Sequence, residues 1–190
     1  MKQGLRNTLL GFVAGFIVGV YVSPTVLAPI HLFPENATTT AITTDTYYPV
    51  TKVVDGDTLG VHIDGKNVTI RLIGLDTPES VDPRRPVQCF GKEASDKAKQ
   101  ILSGSSVRIE TDPSQGAYDK YGRLLAYVYV PAGSKQEGIL FNEYMIREGY
   151  GHEYTYNIPY KYQKEFKEAE TKAREEKKGL WADGVCDSKK

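Results

Sequence analysis

Val53-Val54-Asp55-Gly56-Asp57-Thr58-Leu59-Gly60-Val61-His62-Ile63-Asp64-Gly65-Lys66-Asn67-Val68-Thr69-Ile70-Arg71-Leu72-Ile73-Gly74-Leu75 is the stretch that decides the fold. Runs rich in Val, Ile and Leu are separated twice by Asp-Gly. Asp-Gly between β-rich runs is the strongest short-range hairpin signal, because both residues tolerate the positive φ that a tight hairpin needs. The stretch therefore predicts a three-stranded meander. Its strands lie around Val50–Val54, over Leu59–Ile63 and over Val68–Leu75.

Downstream, Ala94, Ala98, Ile101 and Leu102 fall on one face of a helix predicted over Gly91–Leu102, which Ser103-Gly104 stops. Val107–Glu110 and Leu124–Val130 read as two more strands, the second apolar on both faces. Ile139–Glu148 is expected to be a short helix closed by Gly149. Tyr160–Lys178 is expected to be a longer one, with Phe166, Ala169 and Ala173 inward and a solvated Lys/Arg/Glu face outward. Gly179 ends it, and Leu180-Trp181 folds back on the core. Five short strands with a helix after the third indicate an α+β domain: a five-stranded barrel of the oligonucleotide/oligosaccharide-binding (OB) type with three α-helices.

Upstream, Lys2 and Arg6 precede a run without Lys, Arg, Asp or Glu from Asn7 to Pro34. A bilayer core requires about 20 apolar residues, which this run supplies if it reaches Ala28. It reads either as a transmembrane anchor or as a signal helix cleaved after Val26-Leu27-Ala28. The basic residues place the N-terminus in the cytoplasm and the remainder outside, bound to or released from the membrane. Glu35–Asp45 is Thr-rich and reads as a tether. The expected organisation is a basic segment 1–7, an anchor or signal segment 8–30, a linker 31–46, a folded domain 47–184 and a tail 185–190.

Lys+Arg and Asp+Glu each number 24, so the net charge is zero and any anionic substrate must be attracted by a local patch. The two cysteines, Cys89 and Cys186, fit no CxxC-type zinc motif. In the cytosol they would be separate thiols; in an exported protein they can pair.

Four short segments carry candidate chemistry. Asp57 lies in a turn, Arg71 in mid-strand, Asp76-Thr77-Pro78-Glu79 directly after that strand, and Asp119 to Arg123 before the fifth strand. Singly, each is an ordinary turn or strand residue. Together they bring carboxylates and two guanidiniums to strand ends. Carboxylate and carbonyl oxygens suit a hard cation such as Ca²⁺, and arginine forks match phosphate oxygens. A cation, two arginines and a spare carboxylate are the parts needed to hydrolyse a phosphodiester. His31, His62 and His152 fall outside these segments and read as structural or exposed.

The segments Asp55-Gly56-Asp57-Thr58, Ile70-Arg71-Leu72-Ile73-Gly74-Leu75-Asp76-Thr77-Pro78-Glu79 and Tyr118-Asp119-Lys120-Tyr121-Gly122-Arg123 resemble, in order, the three signature blocks of the staphylococcal nuclease family. The likeness runs from about Tyr47 to Trp181. It implies calcium held by Asp57, Asp76 and the main-chain carbonyl of Thr77. It implies Glu79 as general base, Arg71 and Arg123 on the phosphate, and Lys120 and Tyr121 near a terminal phosphate. Tyr154 and Tyr156 resemble the family's base-flanking tyrosines, although their spacing from Gly149 is one residue shorter. The implied reaction cuts the P–O5′ bond of DNA or RNA, preferably single-stranded, and leaves 3′-phosphates; the implied state is a monomer. Ser80–Phe90 shares little with the family prototype, and Pro131–Gly138 is longer than its matching turn. On the family fold, Cys89 and Cys186 both lie at the periphery, so a Cys89–Cys186 disulfide is expected in an oxidising space. The rival reading, an inactive OB-type module that binds nucleic acid or protein, has no need of the complete set Asp57, Arg71, Asp76, Glu79 and Arg123.

Overall fold

A computed structural model describes residues 46–80, 83–84, 86–132 and 135–186. The predicted segments 1–7 and 8–30, and all of the linker before residue 46, lie outside these residues. Among the described residues no helix is long and apolar enough to cross a membrane.

The meander forms as β1 (Tyr47–Val53), β2 (Thr58–Ile63) and β3 (Lys66–Leu72). β2 and β3 pair from Ile63↔Lys66 onward, so Asp64-Gly65 is a two-residue turn, with φ of 47° and 78°. That is the left-handed conformation the Asp-Gly signal anticipates. The other Asp-Gly, Asp55-Gly56, serves a different purpose. A Cβ on Gly56 would lie 2.6 Å from the Thr77 side chain, so the glycine is there to let the loop after β3 approach.

β5 (Ser106–Glu110) and β6 (Leu124–Ala132) complete the barrel. The strand order is β3-β2-β1-β5-β6, and a parallel β3–β6 pairing, Ile70↔Leu124 to Leu72↔Ala126, closes it. Closure leaves no free edge between these five strands. The interior holds Leu59, Val61, Ile70, Leu72, Val107, Ile109, Ala126 and Val128. Each of the buried Leu, Val and Ile side chains contributes about 1.5–3 kcal/mol before entropic costs. Tyr127 is fully buried as well, so β6 is apolar on both faces, as its sequence indicates.

Several elements differ from the sequence expectation. The predicted third strand breaks at Ile73-Gly74, where Gly74 has φ 75°. Leu75–Asp76 then forms a separate strand, β4, paired with β8 (His152–Glu153). Ile139 and Leu140, expected in a helix, belong to β7 (Lys135–Leu140), which pairs with β6. The part of β6 that extends past its pairing with β3, Tyr129 to Ala132, supplies these residues with backbone partners, and helix α2 spans only Phe141–Arg147.

Helix α1 covers Gly91–Leu102 as expected and buries Ala94, Ala98 and Leu102. Helix α3 spans Gln163–Glu175 and buries Phe166, Ala169 and Ala173. It begins later than its periodicity suggests, because Tyr160 and Lys161 are claimed elsewhere. The Tyr160 hydroxyl donates to Glu153 Oε1 (2.9 Å), and the Lys161 N–H donates to Asp112 Oδ2 (2.8 Å). Asn142, fully buried, staples α2 to the barrel: its Nδ2 donates to the Ile73 carbonyl (2.9 Å), and its Oδ1 accepts from the Val128 N–H (3.0 Å). A 3₁₀ turn, Gly179–Trp181, folds back so that the Leu180 N–H reaches the Gly149 carbonyl at 2.9 Å.

The structure joins Cys89 to Cys186 by a disulfide, with Cα atoms 5.7 Å apart. Cys186, placed by the sequence in a tail starting at 185, is thereby tied to the body.

Candidate active site

The break in β3 delivers Arg71 and Asp76 to the end of the barrel where β2 begins. Arg71 is the hub. Its Nη1 lies 3.0 Å from Asp57 Oδ2, its Nη2 lies 2.8 Å from Asp76 Oδ1, and Nη1 donates to the Leu75 carbonyl at 2.7 Å. Asp57 also accepts from the Thr77 N–H (3.0 Å) and the Thr77 hydroxyl (3.1 Å) on Oδ2. Its Oδ1 accepts from the Thr58 hydroxyl (2.9 Å). Gly56 makes this convergence possible by leaving room for Thr77. The Asp57 main-chain carbonyl accepts from the Leu72 N–H at 2.9 Å, which fixes the loop to the strand.

Arg123 enters from the β5–β6 loop. Its Nε donates to Asp119 Oδ2 at 2.6 Å, and its Nη1 lies 3.4 Å from the Thr58 hydroxyl oxygen. Asp119 Oδ1 accepts from the main-chain N–H groups of Tyr121 and Arg123, each at 2.9 Å, forming the local side-chain turn that Asp favours. A continuous polar chain therefore runs Arg123–Thr58–Asp57–Arg71–Asp76.

Arg71, Asp76, Asp119 and Arg123 open onto a cleft of about 800 Å³, while Asp57, Thr58 and Thr77 are buried behind its wall. Arg71, Asp76, Lys120, Tyr121 and Arg123 line one part of it, and Tyr154 and Tyr156 another. The rings of Tyr154 and Tyr156 are 6.4 Å apart, and both are exposed. The shorter spacing from Gly149 has not removed them from the cleft. The Tyr154 N–H donates to the Gly74 carbonyl (3.1 Å), and β8 just before it pairs His152 with Asp76. Lys120 Nζ and the Arg123 guanidinium lie 5.0 and 5.3 Å from the Tyr121 ring, within cation–π range. Glu79 follows Thr77 by two residues. Its N–H donates to Gln88 Oε1 (2.8 Å), and its carbonyl accepts from the Gln88 N–H (2.9 Å).

The electrostatics suit a cation. Burial first, then the charge of Asp57, pushes the Asp55 carboxyl up to about 7. Asp76 is also raised, chiefly by burial; Arg71 opposes the shift and Asp57 reinforces it. Carboxylates crowded and desolvated in this way are those a divalent ion would relieve. Among the described residues no three His, Cys, Asp or Glu side chains gather into a metal-holding group. The oxygen atoms gathered here are the carboxylates of Asp57 and Asp76, both paired with Arg71, and oxygen donors of this kind suit a hard cation such as calcium or magnesium.

Several participants were written in the signature segments but had no role assigned from sequence. Asp55 adds charge behind Asp57. Thr58 links the two arginines, and Asp119 aims Arg123. Only the Asp119-x-Tyr121 side-chain turn had a recognisable local signal. Of the histidines, His152 packs edge-on against Trp181, ring centroids 5.0 Å apart, while its backbone flanks Asp76.

A barrel that gathers two arginines and two aspartates beside a tyrosine-lined cleft suits an enzyme of the nuclease class, and similarity to known nucleases supports it. The family model described as "Staphylococcal nuclease homologue" matches residues 69–183, a span that includes Arg71, Asp76, Glu79 and Arg123. The chain is 44% identical over 135 residues to a thermonuclease of Staphylococcus hyicus, covering 71% of this chain and 75% of that protein. It is 39% identical over 134 residues to a thermonuclease of Staphylococcus intermedius, covering 70% and 75%. It is 37% identical over 132 residues to endonuclease YncB of Bacillus subtilis (strain 168), covering 69% and 59%. The chain belongs to the staphylococcal nuclease family.

Proposed function

We propose that the protein hydrolyses phosphodiester bonds of single-stranded DNA or RNA with calcium bound, cutting P–O5′ to leave a 3′-phosphate and a 5′-hydroxyl. The observation that carries this reading is the chain Arg123–Thr58–Asp57–Arg71–Asp76, which sets two guanidiniums and the Asp76 carboxylate at one cleft wall, with Asp57 buried behind them. Asp57, Asp76 and the Thr77 carbonyl would hold the ion, which supplies Lewis-acid polarisation of phosphate and water when bound. Arg71 and Arg123 lie in the cleft, where they can neutralise charge building on the phosphoryl oxygens. Asp119 and Asp57 hold these arginines in advance, so little reorganisation is needed as charge develops. The Glu79 carboxylate accepts a proton from the attacking water. Tyr154 and Tyr156 offer faces on which bases stack without sequence preference. Lys120 and Tyr121 flank a terminal phosphate.

We further place this activity outside the cytoplasmic membrane, with the protein anchored or released through segment 8–30 and acting as a monomer. Support comes from that segment's composition and from the Cys89–Cys186 disulfide, a bond typical of oxidising compartments. The test is incubation of the purified protein with a single-stranded oligonucleotide, in calcium and in excess chelator, with end-group analysis. Calcium-dependent fragments ending in 3′-phosphate are expected. Undiminished cleavage in chelator, or 5′-phosphate ends, refutes the reading.

A further inference from the structure

We propose that Gln88, held in place by the Cys89–Cys186 disulfide, is the positioning residue for Glu79, so that the rate of cleavage depends on the redox state of that disulfide. The inference rests on the nuclease reading above and extends it to regulation of the same site.

Glu79 and Gln88 bracket a loop and bond to each other twice. The Glu79 N–H donates to Gln88 Oε1 at 2.8 Å, and the Gln88 N–H donates to the Glu79 carbonyl at 2.9 Å. The main chain of Glu79 is thus clamped from both sides by one residue. The start of α1 closes the arrangement. The Gly91 N–H donates to the Gln88 carbonyl at 3.0 Å, and a Cβ on Gly91 would stand 2.6 Å from the Glu79 carbonyl oxygen. Helix and loop are therefore in direct backbone contact, and movement at residues 88–91 is transmitted to Glu79.

Gln88 is exposed, and an exposed hydrogen bond competes with water. Its position is set by its two C-terminal neighbours. Cys89 is bonded covalently to Cys186, and the Phe90 ring packs 5.6 Å from that of Tyr150. The far end of the disulfide is itself anchored. The Val185 N–H reaches the Ala182 carbonyl at 3.1 Å, and Leu180 bonds to Gly149. The disulfide therefore does more than fasten a tail: it fixes the strut on which the Glu79 main chain rests. Cys89 is exposed and open to a reductant. A dithiol would transfer two electrons and two protons, leaving two thiols on the protein and closing to its own cyclic disulfide. The segment 88–91 would then keep only its noncovalent ties, and a displacement of about 1 Å at a catalytic group costs up to about 10²-fold in rate.

The experiment measures kcat and KM with calcium on a single-stranded oligonucleotide. The proteins are the wild type (oxidised and dithiothreitol-reduced), Gln88→Leu, Gln88→Glu and a Cys89→Ser/Cys186→Ser double variant, each also in a Glu79→Gln background. Gln88→Leu should lower kcat by about 10-fold or more with KM nearly unchanged, and Gln88→Glu, which keeps an acceptor oxygen, should restore most of it. Reduction or the double variant should produce the same kcat-specific loss at a temperature where circular dichroism shows the fold intact. In the Glu79→Gln background none of these changes should lower the rate further, because they act through the missing group. Losses that multiply in that background, losses confined to KM, or unchanged kcat in either Gln88→Leu or reduced protein overturn the proposal. An oxidised wild type that does not cleave overturns the nuclease reading, and this proposal with it.

Discussion

Arg71→Ala removes the cation that two carboxylates share. The Asp57 side chain is 9% exposed, that of Asp76 51%, and that of Arg71 16%. Breaking a buried pair by deleting one partner typically costs about 3–5 kcal/mol, because the other charge stays buried. The Asp76 share is that of a half-exposed pair, worth about 0.2–1 kcal/mol. Asp57 keeps its donors from Thr77 and Thr58, which softens the loss. The expected destabilisation is therefore at the lower end, about 3 kcal/mol, most of it from Asp57. At about 4 °C per kcal/mol for a domain of this size, Tm should fall by about 10 °C in chelator. Saturating calcium should raise the variant's Tm more than it raises that of the wild type, since the ion then supplies the only compensating charge. Arg71→Lys should fall between the two, because an ammonium cannot bridge both carboxylates as the fork does. Thermal unfolding followed by near-ultraviolet circular dichroism, in calcium and in chelator, measures all three. An Arg71→Ala protein within about 2 °C of wild type in chelator would refute the reasoning, because the carboxylates would then not depend on the guanidinium.

Arg123→Lys should retain the fold but lose about 10²–10³ in kcat, as measured by single-turnover cleavage, because Asp119 aims a guanidinium that an ammonium cannot imitate. Wild-type turnover would remove Arg123 from the reaction. Tyr154→Ala and Tyr156→Ala should each weaken single-stranded oligonucleotide binding in calcium by about 1–3 kcal/mol, read by fluorescence anisotropy with a Glu79→Gln protein; unchanged affinity would assign both rings to the surface. Asp112 is raised by burial but lowered more by donors from Lys161, Tyr127 and Ser114, so its folded carboxyl lies below the ordinary 3.8. Its contribution is thus complete above the unfolded value and is lost as pH falls through the folded one. Tm measured from neutral pH into strong acid should fall less steeply for Asp112→Asn than for wild type; parallel curves would contradict this.

Local physics made much of the protein legible in advance. Asp64-Gly65 marked a hairpin because two consecutive positive φ values suit few residue types. Spacing marked the inward face of α1, because a helix repeats every 3.6 residues regardless of its neighbours. The residues of the polar chain were visible as unusual side chains at strand ends, and their likeness to a family's signature blocks supplied roles. What sequence did not show were features that depend on contacts between distant segments. Ile139 and Leu140 became strand because the part of β6 past its pairing with β3 was within reach. Gly56 looked like a turn residue, yet its lack of a side chain serves Thr77, 21 positions later. No periodicity announces that β8 will flank Asp76, that Thr58 will join the two arginines, or that Gln88 will brace Glu79. The first two join residues far apart in the chain and form only as the barrel closes, and the third spans nine positions across a loop. Composition and local pattern therefore determined most of the elements and the inventory of chemical groups, whereas tertiary packing decided the short added strands and which of those groups meet.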